Sequence, residues 1–374
     1  MSERLVLRNV RMLDGSGADI VVNGGVLEAI APPGTGQGES AVDCSGRYVS
    51  SGWIDLHAHA CSELQPYGDE IDEIGVRQGV TTLVDAGSCG SDRIGELARE
   101  AQNAQTRLLA FLNVSRIGLE RIDELSELDW IDQSAAAAAA AQYGGFIVGL
   151  KARISASVVG SNGIEPLRLA RLLGEELKLP LMVHIGSGPP PIDEVMALLR
   201  KGDVVTHYLN GKRNNLFHED GRPRQALSDA IGRGVRLDVG HGTASFSFPV
   251  AESARAQGIH PDTISTDIYR GNRLNGPVYS MSSVLTKFLQ LGYSLEETVE
   301  RVTVRPAAWL NRPELGRMTV GEPAELTLFE VNEQPSELMD SEGNRRTSRR
   351  TIQAKGVVRN GEYLACQIRP ETGH

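Results

Sequence analysis

The chain has 374 residues, 40% of them hydrophobic, with 41 glycines and a formal net charge of −10. That length buries a large core and suits one big domain plus a smaller one. The acidic balance argues against nucleic acid as a partner, because phosphate binding needs clustered Lys and Arg, and no apolar run approaches the ~20 residues needed to span a bilayer.

The start, Met1-Ser2-Glu3-Arg4-Leu5, carries no signal-peptide pattern. Cys44, Cys61, Cys89 and Cys366 lack C-x-x-C spacing and read as free thiols of a reducing compartment, so the expected location is cytoplasmic. The first ~50 residues read as short strands with tight turns. Leu5 to Val10 is one strand and Ile20 to Asn23 another, with Gly24-Gly25 as a hairpin turn and Pro32 to Ser40 as a loop.

From Trp53 onward, short apolar runs alternate with helical stretches, the mark of βα repeats and a parallel sheet. The predicted strands are Trp53–His57, Thr81–Ala86, Arg107–Val114, Phe146–Arg153, Leu181–Ile185, Val204–Tyr208, Val235–Val239 and Thr263–Asp267. These strands and the ~250-residue span they occupy predict an α/β fold, a (β/α)8 TIM-like barrel. The alanine run Ala135 to Ala141 belongs to the helix before the fourth strand, since alanine is the best helix former. Glu165–Leu177 and Ile192–Leu199 carry apolar residues at helical spacing. Beyond Arg305-Pro306 the chain returns to short strands, at Ala324–Phe329 and Lys355–Val358. The two ends are expected to pair into a small flanking β-sandwich, residues 1–51 with 312–374, around a barrel of residues 52–311. The polar stretch Asn332 to Arg350 reads as a surface hairpin or a mobile loop.

Six side chains stand out at strand ends. His57 and His59 close the first strand, and residues i and i+2 share a face, so both imidazoles can aim at one ion. Alone, an H-x-H pair is a weak signal; at the C-terminal end of a barrel strand it gains weight, because barrel active sites lie there. Lys151 sits within an otherwise apolar strand, where a snorkelling or ion-paired lysine is the ordinary reading. His184 and His207 end successive apolar runs, and Asp267 ends the last one, where an N-capping aspartate is the plain alternative. These ligand candidates fall on strands 1, 4, 5, 6 and 8.

This series of H-x-H, Lys, His, His and Asp resembles the ligand pattern of the binuclear amidohydrolase superfamily. The runs Lys151-Ala-Arg-Ile-Ser-Ala-Ser-Val-Val-Gly160, Met182-Val-His-Ile-Gly186 and Gly202-Asp-Val-Val-Thr-His207 resemble more narrowly its amidohydrolase/deacetylase group, often labelled dihydroorotase-like. The resemblance covers nearly the whole chain. It implies two divalent metal ions, Zn2+ in the first place and Mn2+ as the alternative. His57, His59 and Asp267 would hold the more buried ion, and His184 and His207 the more exposed one. A CO2-derived carbamate on Lys151 would bridge them together with a hydroxide, the nucleophile, and Asp267 would act as general base.

Substrate residues are less sharply marked. Arg153 shares the face of Lys151 and is a candidate for a substrate carboxylate, with an ion pair inside the barrel as the even alternative. His241, after the seventh strand, and Asn275, on the loop after Asp267, are further substrate-binding candidates; His218 and His260 read as surface residues. The expected partner is a small molecule, with no nucleic acid and no membrane; homo-oligomerisation is left open, though relatives of this kind often assemble. The expected reaction is deacylation of a small carboxylate-bearing substrate, an N-acyl amino acid or an O-acyl hydroxy acid. Cyclic-amide hydrolysis of the dihydroorotase or hydantoinase kind is the alternative enzyme, and a non-catalytic scaffold the alternative of another class. Purine deamination fits less well, since such enzymes usually use one metal and lack the bridging lysine.

Overall fold

The computed structural model describes residues 4–367. Five strands open the chain: β1 (Leu5–Arg11), β2 (Gly17–Asn23), β3 (Val26–Ala31), β4 (Ser40–Asp43) and β5 (Tyr48–Ser51). The Gly24-Gly25 turn joins β2 to β3 with both residues at positive φ, which matches the right-handed twist of a hairpin. Seven parallel strands follow in sequential order: β6 (Trp53–Ala58), β7 (Val80–Ala86), β8 (Arg107–Asn113), β9 (Ile147–Ile154), β10 (Leu181–Ile185), β11 (Val204–Thr206) and β12 (Arg236–Asp238).

The eighth predicted strand closes the barrel without forming a regular ladder. It bridges β12 at Asp238–Thr263 and β6 at Ala58–Ile268, both in parallel. His59 N donates to Ile268 O at 2.9 Å and Val239 N to Thr263 O at 3.2 Å. The irregularity has a local cause: Asp267 sits at φ 52°, outside the β region. His207, predicted as part of the sixth strand, likewise lies beyond its end at φ 68°. Both deviations fall at the barrel mouth, on residues singled out for chemistry, which is where such strain concentrates.

Helices pack outside the strands as predicted. The alanine-rich helix spans Gln133–Gln142, and the Asp132 carboxylate caps it by accepting from Ala135 N at 2.9 Å. The helix Glu165–Leu177 matches its predicted range and buries Leu167, Ala170 and Leu173.

The chain then supplies β13 (Leu326–Asn332), β14 (Ser336–Met339), β15 (Arg345–Ser348), β16 (Thr351–Arg359) and β17 (Glu362–Ala365). Strands from both ends form one hydrogen-bonded sheet in the order β17-β16-β13-β5-β1-β2-β3, with β4 paired to β1. Its apolar side chains pack together across the chain ends, Leu7, Ile20 and Val49 from the first with Leu326, Leu328 and Val358 from the last. Phe329 on β13 stacks on Tyr48 and packs against Trp53 of β6, tying the sheet to the barrel. The polar stretch is the β14–β15 hairpin. Its tip is anchored rather than loose: Asp340, 2% exposed, accepts from Phe248 N at 2.8 Å, and Ser341 Oγ donates to Gly242 O at 3.0 Å. No described helix is long and apolar enough to cross a membrane.

Candidate metal centre

All six strand-end residues converge at the C-terminal mouth of the barrel. One oxygen of Asp267, Oδ1, stands 3.3 Å from His57 Nε2 and 3.0 Å from His59 Nε2. Lys151 Nζ lies 3.2 Å from His57 Nε2. The His207 ring is 5.0 Å from that of His57 and 4.4 Å from that of His184, centroid to centroid. Ligand atoms of His57, His207 and Asp267 lie within 4.8 Å of one another. Depth divides the set: His57, Lys151 and His207 are buried, whereas His184 and Asp267 are half-buried and meet the opening.

The second layer fixes which nitrogen each histidine offers. His57 Nδ1 meets Thr206 Oγ1 at 2.9 Å, and that hydroxyl donates to Asp238 Oδ2 at 2.8 Å. His59 Nδ1 meets Ser88 Oγ at 2.8 Å, and that hydroxyl donates to Asp85 Oδ2 at 2.7 Å. Because each hydroxyl gives its proton to a carboxylate, it accepts from the imidazole, which places the ring proton on Nδ1. His207 Nδ1 donates to Gly240 O at 2.6 Å, a partner that can only accept. All three rings therefore turn an unprotonated Nε2 inward, the arrangement found around metal-binding histidines. His207 Nε2 is buried and has no hydrogen-bond partner among the described residues, a costly vacancy for a protein group to leave.

Charge supports the same picture. Burial, with help from the Lys151 charge at His57 and the Arg153 and Lys151 charges at His184, holds His57, His184 and His207 well below the usual histidine range, so their imidazoles are neutral at pH 7. Burial also pushes the Lys151 ammonium down to about 8. Burial opposes ionisation of Asp267, but the surrounding His57, His59 and His207 outweigh it and keep the carboxyl well below the carboxylate range. Neutral imidazoles, an ionised carboxylate and a readily deprotonated amine form a donor set that fits divalent ions.

Two glycines make the close packing feasible. At Gly87 (φ 79°) a Cβ would lie 2.5 Å from Lys151 Cβ, and at Gly242 (φ 54°) 2.3 Å from Asp267 Oδ2.

The substrate candidates fare differently. Arg153 reaches the mouth but forms a fork with the buried Glu124, Nε to Oε1 at 2.6 Å and Nη2 to Oε2 at 2.8 Å. The ion-pair alternative is thus the contact present. His241 is fully buried and stacks on Phe246, with Nε2 2.7 Å from Lys287 Nζ and Nδ1 2.9 Å from Gly242 O. Both nitrogens have protein partners, so the ring has no polar atom turned to the mouth. Asn275 is exposed, and its amide donates to Gly271 O at 3.1 Å. His218 and His260 are exposed, as expected. The supporting hydroxyls Thr206 and Ser88 were not among the sequence candidates; their signal is weak, Thr206 directly preceding His207 and Ser88 standing three residues after Asp85. Replacing Thr206 by valine keeps the volume and removes the link between His57 and Asp238. Metal affinity is expected to fall about 10- to 100-fold, measured by competition with a chelator; an unchanged affinity would remove Thr206 from the centre.

Barrel, flanking sheet and convergent His/Lys/Asp cluster together define a barrel hydrolase of the metal-dependent kind. No protein-family model matches the chain. It is 38% identical to a deacetylase of Enterococcus faecalis over 97% of this chain and 99% of that protein. It is 36% identical to a deacetylase of Agrobacterium fabrum over 96% of this chain and 91% of the other. A crystal structure of an adenine deaminase superposes with a TM-score of 0.93 at 38% identity, covering 96% of this chain and 99% of that one. One of a dihydroorotase does so with 0.91 at 34%, covering 98% and 100%. The chain belongs to the deacetylase family of the amidohydrolase superfamily.

Proposed function

We propose that the protein is a metal-dependent deacylase that cleaves the amide or ester bond of a small carboxylate-bearing molecule, an N-acyl amino acid or an O-acyl hydroxy acid. The observation that carries this reading is the inward-facing donor set: Asp267 Oδ1 against His57 and His59, with the buried His207 Nε2 beside them, unpartnered among the described residues. The two deacetylase relatives, aligned over nearly the whole chain, support it.

In this reading His57, His59 and Asp267 would hold one divalent ion and His184 and His207 a second, and Lys151, as its carbamate, would supply a further anionic ligand. Zn2+ suits these ligands, and Mn2+ is the alternative. When bound, such ions lower the pKa of water from 15.7 to about 7 and polarise a carbonyl. The chain's own residues then do the rest. Asp267, half-buried at the mouth, takes the proton of the attacking water and hands it to the leaving nitrogen or oxygen. The hydroxyls of Thr206 and Ser88 keep His57 and His59 in one tautomer through this exchange. The lysine carbamate forms only from a free amine, which its burial favours. A cytoplasmic location belongs to the same reading.

The neighbours named adenine deaminase and dihydroorotase share the fold and much of the sequence, and fold alone does not choose a substrate. The test is a screen of the metal-loaded enzyme against N-acyl-D- and L-amino acids, acyl hydroxy acids, dihydroorotate, hydantoins and adenine, with metal analysis alongside. Turnover of acyclic acyl compounds with stoichiometric metal is expected. Turnover confined to the cyclic amides or to adenine would overturn the substrate reading, and a protein that binds no divalent metal would overturn the mechanism.

A further inference from the structure

The expected substrate carries a carboxylate, yet the cation first expected to meet it, Arg153, is already forked to Glu124. Lys212 is differently placed. It lies on the loop after β11, a short step beyond His207. Asn210, fully buried, ties the two together: its Nδ2 donates to His207 O at 2.8 Å and its Oδ1 accepts from Lys212 N at 3.0 Å. Asn214 pins the far end of the same loop, accepting from Ile192 N at 2.9 Å and donating to Pro190 O at 3.1 Å. The backbone that carries Lys212 is therefore held in register with the metal-centre histidine.

The Lys212 side chain is half-buried, and its charge interacts with Asp267, Arg153 and His184. The charge thus lies within electrostatic reach of the mouth, on a backbone tied through Asn210 to His207. Among the described residues no carboxylate lies within ion-pair distance of it. Glu342, at the tip of the β14–β15 hairpin, comes against Gly211 and still makes no ion pair with it. A partly desolvated ammonium with three donors and no anion is an incomplete site.

We propose that Lys212 is the anchor for the substrate's carboxylate and so sets the enzyme's preference for acids over their neutral analogues. This rests on the deacylase reading above. The ammonium would pair with the carboxylate while the acyl group lies over Asp267 and His184. Because the carboxylate does not change during the reaction, the contact is equally strong in ground and transition states and acts on KM rather than kcat.

The experiment uses the acyl amino acid turned over best in the screen and its carboxamide, which differ only in charge. Wild-type enzyme should prefer the acid. In Lys212→Met, kcat/KM for the acid should fall about 10- to 100-fold, the range of a charged hydrogen bond, chiefly through KM, and that for the carboxamide by much less, so that the preference for the acid collapses. Lys212→Arg should restore part of the preference. Lys212→Gln, with thermal melting of all variants, keeps the comparison valid if the methionine variant folds poorly. A variant without the ammonium that retains the acid preference would overturn the role of Lys212 and leave the deacylase reading standing. A wild type indifferent to the charge would overturn the carboxylate-bearing substrate itself.

Discussion

Asp267→Asn is expected to abolish turnover while the protein keeps much of its metal. The amide preserves the shape of the side chain and an oxygen that can still face His57 and His59, 3.3 and 3.0 Å from Asp267 Oδ1. It cannot accept and return a proton. General acid–base groups contribute about 10²- to 10⁴-fold, and kcat should drop by at least that much. The measurement is steady-state turnover together with metal content by elemental analysis. Full activity in the mutant would dismiss Asp267 as the proton carrier; loss of activity only in step with loss of metal would reduce it to a ligand.

The second large effect concerns Lys151. If Lys151 is the proposed ligand, its replacement by methionine should lower metal content from the two ions proposed to one or fewer and abolish turnover. A pH dependence follows from the same residue. Carbamate formation needs the free amine, and burial brings the Lys151 ammonium down to about 8. The free-amine fraction is then about 10% at pH 7 and about 90% at pH 9, so at a fixed concentration of dissolved CO2, the species that reacts with the amine, reconstitution of the metal-free protein with Zn2+ should quicken roughly tenfold between them. The buried His57, His184 and His207 are neutral at both ends of this window and do not contribute. A rate that ignores both pH and dissolved CO2 would sink the carbamate, whatever the metal content of the Lys151 variant.

The relatives' names span deacetylase, dihydroorotase and adenine deaminase on one scaffold. All three involve attack of water on an electron-poor sp² carbon, so one centre can serve them, and the mouth residues must separate them. The mouth here combines the Arg153–Glu124 fork and the anchored β14–β15 hairpin tip with the loop that carries the proposed anchor Lys212. None of these lies on a barrel strand except Arg153, so variation in them leaves the barrel core untouched.

Much of the fold was legible from local pattern. The strand Leu181–Ile185 and the helix Glu165–Leu177 have their predicted bounds, because short β-rich apolar runs and helical spacing are properties of neighbouring residues. The eighth strand was legible as a position and not as a shape. Its run of residues suits a strand, but the turn of Asp267 into the mouth imposes φ 52° and breaks the ladder. The hairpin left open between surface element and mobile loop is held by Asp340 and Ser341, whose partners lie some ninety residues earlier in the chain.

The sequence by itself nominated His57, His59, His184, His207 and Asp267, because the C-terminal end of an apolar run follows from its own periodicity and a barrel sends every such end to one mouth; Lys151, inside its strand, joined them through the family resemblance. Only the tertiary structure decided which neighbours those residues have. It gave Thr206 and Ser88 to the histidines, Glu124 to Arg153 and Lys287 to His241, and among the described residues it brings no carboxylate within ion-pair distance of Lys212. Such pairings join loops far apart in the chain and depend on angstrom-scale placement, for which no local periodicity carries a signal.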